Sequence, residues 1–513
     1  MGERTPDAGG DAAAVLAYHE ATKHSERSIR ESRHVLDWAN QPISFKIPRG
    51  LPTLPLPEPP TRESPALGIL ARDPAAPRPA KARVPDLEAL ARVLFLAAGI
   101  TKRKRYPGGE VLFRAHPNTG ALHHVDLYLV SAELPGLASG VYHFGPHDFA
   151  LRRLREGDWR GSVVEASGGC ETLAHAPVIV VSASTWWRNA WKYQARAWRH
   201  VFWDGGALHA NLLAAAAGDG LAPQLVLGFA DAPLERLLAL DPEREGLVAL
   251  ATLGHVEAPA PPPPAPEPPP LEMETEPLSP HEVDQPAIRA AQRASALANG
   301  EEAAAWRGTA EPSRVAAPLP PPEPTGRIFP LRPLSQAELP RDPLDRVIRR
   351  RGSTRAFDPE ASLRFEELSA ALHGATRGIP ADFARPPGAT LLDLYLIVHA
   401  VEGLPRGTYY LRRDEGALEL LREGRYRYEA SRLALGQLLA GHAAVDVYCL
   451  ADLERATARL GARGYRAAQL EGGITGARLY LAAYAQRFGA TGLTFFDDEV
   501  TAFFAPHAEG KSA

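Results

Sequence analysis

Residues 196–221 read "RAWRHVFWDGGALHANLLAAAAGDGL", and residues 463–488 read "RGYRAAQLEGGITGARLYLAAYAQRF". Each stretch is apolar nearly all round, which marks a helix buried on most of its sides. Each also carries an acid followed by two adjacent glycines at its middle: Asp204-Gly205-Gly206 and Glu471-Gly472-Gly473. A glycine inside a helix costs about 1 kcal/mol relative to alanine, so both pairs demand a reason. Small residues let two helix backbones approach closely, and the expectation is that the glycine steps mark where the two helices cross.

The two stretches lie 267 residues apart, and the spacing persists well beyond them. It pairs "VDLYLV" from Val125 with "LDLYLI" from Leu392, and Gly140 and Tyr142 with Gly407 and Tyr409. It pairs "LRRLREG" from Leu151 with "LELLREG" from Leu418, and "HAPVIV" from His175 with "HAAVDV" from His442. It also pairs Phe229 and Asp231 with Phe496 and Asp498. One spacing held through so many elements means an internal duplication. The expected division is residues 1–256 for copy one, 257–340 for a linker and 341–513 for copy two. The linker opens with "APAPPPPAPEPPP" and closes with "PLPPPEP", runs that favour extended polyproline II. Its alanine-rich part, "QPAIRAAQRASALANGEEAAAWRG", reads as a helix within a tether.

Copy one reads as a helix over 84–99, strands near 124–131, 140–144 and 148–153, and a buried strand "VIVVSAS". A long helix over 192–219 follows, then strands "PQLVLGF" and "LVALATLG". Copy two repeats the order with helices near 341–351 and 364–376, but no partner of "LVALATLG" follows its last elements. Strands that meet both hairpins and helices argue an α+β class with a mixed or antiparallel sheet.

The net charge of −4 leaves no basic excess, so nucleic acid is not an expected partner. Cys170 and Cys449 are the only cysteines, which excludes a disulfide framework. The N-terminus lacks a signal-type apolar core, Pro6 breaks a myristoylation pattern, and no apolar run is long enough to span a membrane. A cytoplasmic location is the expectation.

Four segments, in order, resemble the SagB/ThcOx-type dehydrogenases, a branch of the FMN-dependent nitroreductase superfamily. They are "YHEATKHSERSIRESRHVLDWANQPISFK" from Tyr18, "FRAHPNTGALHHVDLYLV" from Phe113, "KYQARAWRHVFWDGGALHANLLAAA" from Lys192 and "VIRRRGSTRAFD" from Val347. The resemblance implies two nitroreductase-like domains sharing a helical interface, with FMN between them; a tandem chain would build that dimer internally, as a monomeric pseudo-dimer.

A flavin phosphate suits guanidinium forks and hydroxyls, and Arg351, Ser353 and Arg355 supply both within five residues. By resemblance, Pro117-Asn118-Thr119-Gly120 covers the flavin's polar edge from the other copy, and the backbone at Leu227-Gly228 faces flavin N5. In copy two the 267 spacing puts Phe495 at the place of Gly228, where it would crowd the ring. Lys192 and Tyr193 match the pair to which the branch assigns proton transfer. The glycine that follows them in the family is Gln194 here, and copy two has Arg459-Leu460 instead. Lys23, Ser28 and Arg30 offer a second phosphate grip for copy one. Arg196, His200 and Asp204 share a helix face and suggest a buried charge chain. His123 and His124 lack an accompanying acid or cysteine cluster, so no metal site is expected. The asymmetry between copies predicts one working composite FMN site and one degenerate site.

Three functions follow. The first is FMN-dependent two-electron oxidation, for which the resemblance implies azoline-type peptide heterocycles as substrates. The second is an NAD(P)H-dependent nitro- or quinone-reductase. The third is a flavin-free scaffold that binds a partner or peptide.

Overall fold

In the computed structural model, residues 11–74, 83–106, 109–264, 269–309, 323–335, 337–386 and 388–513 are described. The two long helices, Ala197–Gly218 and Arg463–Ala485, pack against each other at the centre and make the most extensive element-to-element contact of the fold. The second glycine of each pair explains the crossing. A side chain at Gly206 would run into the Leu470 carbonyl, and one at Gly473 into the Trp203 carbonyl. The first glycines behave differently. A Cβ on Gly205 would sit 2.8 Å from Val248 of its own sheet, whereas one on Gly472 meets nothing within 4 Å.

That difference follows from the sheets. Copy one has seven strands in the order Thr53–Pro55, Ala150–Glu156, Gly140–Gly145, Val125–Ser131, Val178–Thr185, Glu245–Leu253, Leu225–Val226. Copy two has five, in the matching order Ile328–Pro330, Ala417–Glu423, Gly407–Arg412, Leu392–Val398, Val445–Ala451. All pairings within these two sheets are antiparallel. Among the described residues, copy two has only a bridge, Ala451 to Ser512, where copy one has the strand Glu245–Leu253 that carries Val248. The α+β class and the two-domain arrangement expected from the sequence are therefore present. No described helix is long and apolar enough to cross a membrane.

The expected helix over 192–219 is two elements. Trp186–Tyr193 ends at Gln194, which sits at φ +48°, and the long helix starts afresh at Ala197. Copy two breaks at the matching place with Gly461, φ +58°. A glycine takes this left-handed backbone without strain; Gln194 is a side chain in a glycine's position.

The segment 257–340 also differs from a passive tether. It holds helices Pro286–Ala294 and Gly300–Thr309 and strand Ile328–Pro330. Helix Pro286–Ala294 occupies in copy two the place that Ala12–Ala21 occupies in copy one. Val15, Tyr18 and His19 are the buried residues of the first, and Ile288, Ala291 and Gln292 those of the second, each 273 positions later. The hydrogen bonds correspond as well. Arg199 Nε donates to Thr22 Oγ1 at 3.0 Å, and Arg466 Nε to Ser295 Oγ at 2.8 Å. So few identities survive between the two helices that sequence comparison does not find them.

The interface is closed by reciprocal ion pairs. Arg196 and Arg199 of copy one hold Asp497 of copy two; Arg463 and Arg466 of copy two hold Asp231 of copy one. All six groups are buried. Burial pushes both carboxyls up, but the paired guanidinium groups outweigh it and hold them below the usual carboxylate range. Arg463 lies 4.4 Å from the Phe229 ring centroid and Arg196 lies 6.0 Å from that of Phe495. The register is thus corrected: after the long helix the spacing becomes 266, because the loop before Asp497 is one residue shorter. Asp231 matches Asp497, Phe229 matches Phe495, and Gly228 matches Thr494 rather than Phe495.

Candidate functional site

Pseudo-twofold symmetry makes two junctions between the copies, and they are unlike. The first joins copy two's turn after helix Leu344–Arg350 to copy one's segment 114–124. Arg351 caps that helix and reaches across, Nε to the Ala115 carbonyl at 3.1 Å and Nη2 to the Arg114 carbonyl at 3.3 Å. Its guanidinium lies 5.7 Å from the Tyr480 ring centroid, and among the described residues no carboxylate pairs with it. Burial lowers its pKa. Ser353 Oγ is 3.3 Å from Tyr480 Oη, and Arg355 is exposed.

On the copy-one wall, Asp204 fixes the covering turn. Its carboxylate accepts from the Thr119 amide at 3.0 Å and from Thr119 Oγ1 at 2.8 Å, and meets His124 Nε2 at 2.9 Å. Asn118 Oδ1 accepts from the His123 amide at 2.7 Å. Gly120, at φ +66°, lies against Tyr193: a Cβ there would be 3.0 Å from the phenolic oxygen. Tyr193 is pushed up to about 12 by burial and by Asp204, so its phenol stays protonated at neutral pH. Lys192 Nζ lies 5.3 Å from the Tyr193 ring centroid. From Tyr193 a ladder of rings runs through His200 at 4.6 Å and Trp203 to Phe495 of copy two. Arg351 thus meets the copy-one wall at Arg114 and Ala115, and farther along the same segment Thr119 and Gly120 stand against Asp204 and Tyr193, with Lys192 beside Tyr193. The charge chain expected from Arg196, His200 and Asp204 does not form. Arg196 pairs with Asp497, His200 bonds Asn189 at 2.8 Å, and Asp204 turns to Thr119 and His124.

The second junction is filled. The amides of Leu227 and Gly228 both donate to the Asp382 carboxylate, at 2.9 and 2.8 Å. Leu225 and Ala381 form a parallel bridge, and Phe383 and Trp306 are buried beside it. A Cβ on Gly228 would meet Arg307, Trp306 and Asp382 at 2.6–3.1 Å. Leu227 and Gly228, expected to face a flavin, are thus sealed by copy two. Their counterparts tell the opposite story: Leu493 is half-buried and Thr494 exposed. Nor do Lys23, Ser28 and Arg30 form a second phosphate grip. Lys23 bridges Glu20 and Asp498, and Ser28 closes the capping box of helix Glu26–Glu31, on which Arg30 is exposed. Asp382 and Trp306 were not foreseen, because they lie in segments that follow no shared spacing.

Two surface clefts of about 580 and 510 Å³ lie elsewhere. Trp186 and Trp187 help to line the first, Arg427 and Tyr428 the second; neither includes a residue expected for the site.

The family model described as "Nitroreductase family" matches residues 77–255 and again 348–509, together well over half of the chain. The chain belongs to the nitroreductase family. Its tandem form stands on the two matched regions. A crystal structure of a putative nitroreductase from Anabaena variabilis ATCC 29413 is 26% identical, with a TM-score of 0.73, and the likeness covers 97% of each chain. The putative nitroreductase MJ1384 of Methanocaldococcus jannaschii is 24% identical over 154 residues, 30% of this chain and 74% of that protein. The trifolitoxin-processing protein TfxB of Rhizobium leguminosarum bv. trifolii is 28% identical over 153 residues. That stretch is 29% of this chain and 41% of TfxB. Oxidoreductase chemistry follows from the family.

Proposed function

We propose that this nitroreductase-family protein binds a single FMN at the Arg351 junction and uses it for two-electron oxidation of an azoline-type peptide heterocycle. The observation that carries the reading is the half-buried Arg351 guanidinium, which has no carboxylate partner among the described residues and donates to the Ala115 and Arg114 carbonyls. A guanidinium that lies partly open at the junction and has no acid beside it can take up an anion, and a phosphate suits its fork. Ser353 and Arg355 would share the phosphate, and Pro117, Asn118, Thr119 and Gly120 would face the ring's polar edge. Leu493 and Thr494 replace Leu227 and Gly228 in this assignment, because the latter are sealed by Asp382. When bound, the flavin would supply hydride-accepting chemistry.

The chain's own groups divide the proton work. Tyr193, held protonated by burial and Asp204, donates a hydrogen bond to the substrate; Lys192 beside it sets its positive charge against the electrons that leave the substrate, and the released proton goes to water. Asp204 positions the covering turn without touching the substrate. The match to a trifolitoxin-processing protein favours a peptide substrate over a free quinone or nitroarene. On the same reading the second repeat starts near residue 285, so that each copy brings its own N-terminal helix.

The visible spectrum tests this. The purified protein is expected to be yellow or to take up added FMN, Arg351→Ala to lose the flavin, and Arg30→Ala to keep it. Retention in Arg351→Ala with loss in Arg30→Ala would reverse the assignment, and a protein indifferent to FMN would leave the scaffold reading.

A further inference from the structure

Between its helix Leu87–Ala98 and its strand Val125–Ser131, copy one runs through 26 residues; between Phe365–Ala375 and Leu392–Val398, copy two needs 16. The additional length is a hairpin, Ile100–Tyr106 paired antiparallel with Gly109–Arg114. Among the described residues neither strand pairs with a third, so both outer edges are free. The first strand carries Lys102-Arg103-Lys104-Arg105, all exposed. Side chains alternate across a strand, so the charges line both faces. Glu110 is the one acid that ion-pairs with them among the described residues, at 3.3 Å to Arg103 and 3.6 Å to Arg105. The local excess stands on a chain whose net charge is −4.

Cations on an edge strand commonly guard it against aggregation. A guard protects an apolar strand, however, and four successive cations leave this one with no apolar face to protect. The placement also argues for more. The second strand ends at Arg114, and its carbonyl and that of Ala115 receive Arg351. The root of the hairpin is therefore the wall of the Arg351 junction, and among the described residues copy two has no such hairpin beside the filled junction.

We propose that this hairpin is a docking strand for an acidic, extended peptide segment. The segment adds to the free edge of Ile100–Tyr106 through its backbone, and its carboxylates face Lys102 to Arg105. The surface delivers the reacting part of the same peptide to the junction, and in this it rests on the peptide reading above.

Fluorescence anisotropy with a short labelled oligoglutamate peptide tests the surface on the full chain. Oligothymidylate and phosphatidylserine vesicles serve as competing polyanions. The peptide is expected to bind more weakly as salt rises, and Lys102→Glu/Lys104→Glu to weaken it about tenfold or more. Glu110→Gln is expected to tighten it. A peptide of Glu-Pro-Pro repeats with the same number of glutamates, whose prolines interrupt the amides on both edges of an extended segment, is expected to bind more weakly. Unchanged binding in the double variant, or equal or tighter binding of oligothymidylate or vesicles, would overturn the proposal. The visible spectrum separates the two readings. A yellow protein indifferent to the peptide sinks the docking strand alone, and a colourless one that binds the peptide sinks the flavin assignment alone.

Discussion

The loop that follows each long helix ends in the same way, at a buried aspartate held by two arginines of the other copy, yet its two instances lie in opposite surroundings. In copy one, Leu227 and Gly228 are buried and their amides are held by Asp382. In copy two, Leu493 is half-buried and Thr494 is exposed. The same backbone therefore builds a sealed junction and an open one. What differs is the filling, Trp306, Phe383 and Asp382 on one side, and on the other a half-buried cation without an acid partner among the described residues, Arg351. Duplication kept the frame symmetric, and in the function proposed above the chemistry gathers at one junction.

The largest expected effect concerns what the junctions share. Asp497→Ala leaves Arg196 and Arg199 buried without their acid, and removing one partner of such a pair costs about 3–5 kcal/mol. Asp231→Ala, with Arg463 and Arg466, is expected to cost as much. Urea unfolding measures both, and a loss confined to one would break the symmetry of the frame.

Next come the glycines, which separate the crossing from the open side. Gly206→Ala presses a methyl on the Leu470 carbonyl and is expected to cost about 1–3 kcal/mol. Gly472→Ala meets nothing within 4 Å and is expected to gain up to about 1 kcal/mol from helix propensity. Thermal melts of the two variants that shift in the same direction would contradict the crossing geometry.

A smaller effect depends on pH. Burial, with Asp231 nearby, raises Glu235 to about 7, and its copy-two counterpart is Thr501. In the unfolded chain a glutamate releases its proton near 4.3, whereas the folded protein retains it up to about 7. The folded state therefore binds more protons in that window, and stability falls as pH rises through it. Glu235→Gln is expected to flatten the stability profile between those limits, and an unchanged slope would refute the assignment.

Much of this was legible in the residues. The glycine pairs announced the crossing because a close approach of backbones leaves few alternatives, and the shared spacing announced the duplication because long elements tolerate no insertions. Gly120 did fall against Tyr193, and Arg351 against the start of the same segment at Arg114 and Ala115. Other features were not legible. The helix Pro286–Ala294 shares with Ala12–Ala21 only its burial positions and three alanines, too common a residue to stand out, and proline runs on both sides disguised it as linker. One deleted residue before Asp497 shifted the register, so Phe495 was set against Gly228 when Thr494 stands there. Lys23, Ser28 and Arg30 looked like a phosphate grip, but a capping box and ion pairs account for Lys23 and Ser28.

The number of flavins per chain tests the central asymmetry most directly. Titration of the purified, flavin-depleted protein with FMN, followed by quenching of flavin fluorescence, is predicted to saturate at one equivalent. Saturation at two equivalents would show that Asp382 and Trp306 do not close the second junction, and would contradict the account.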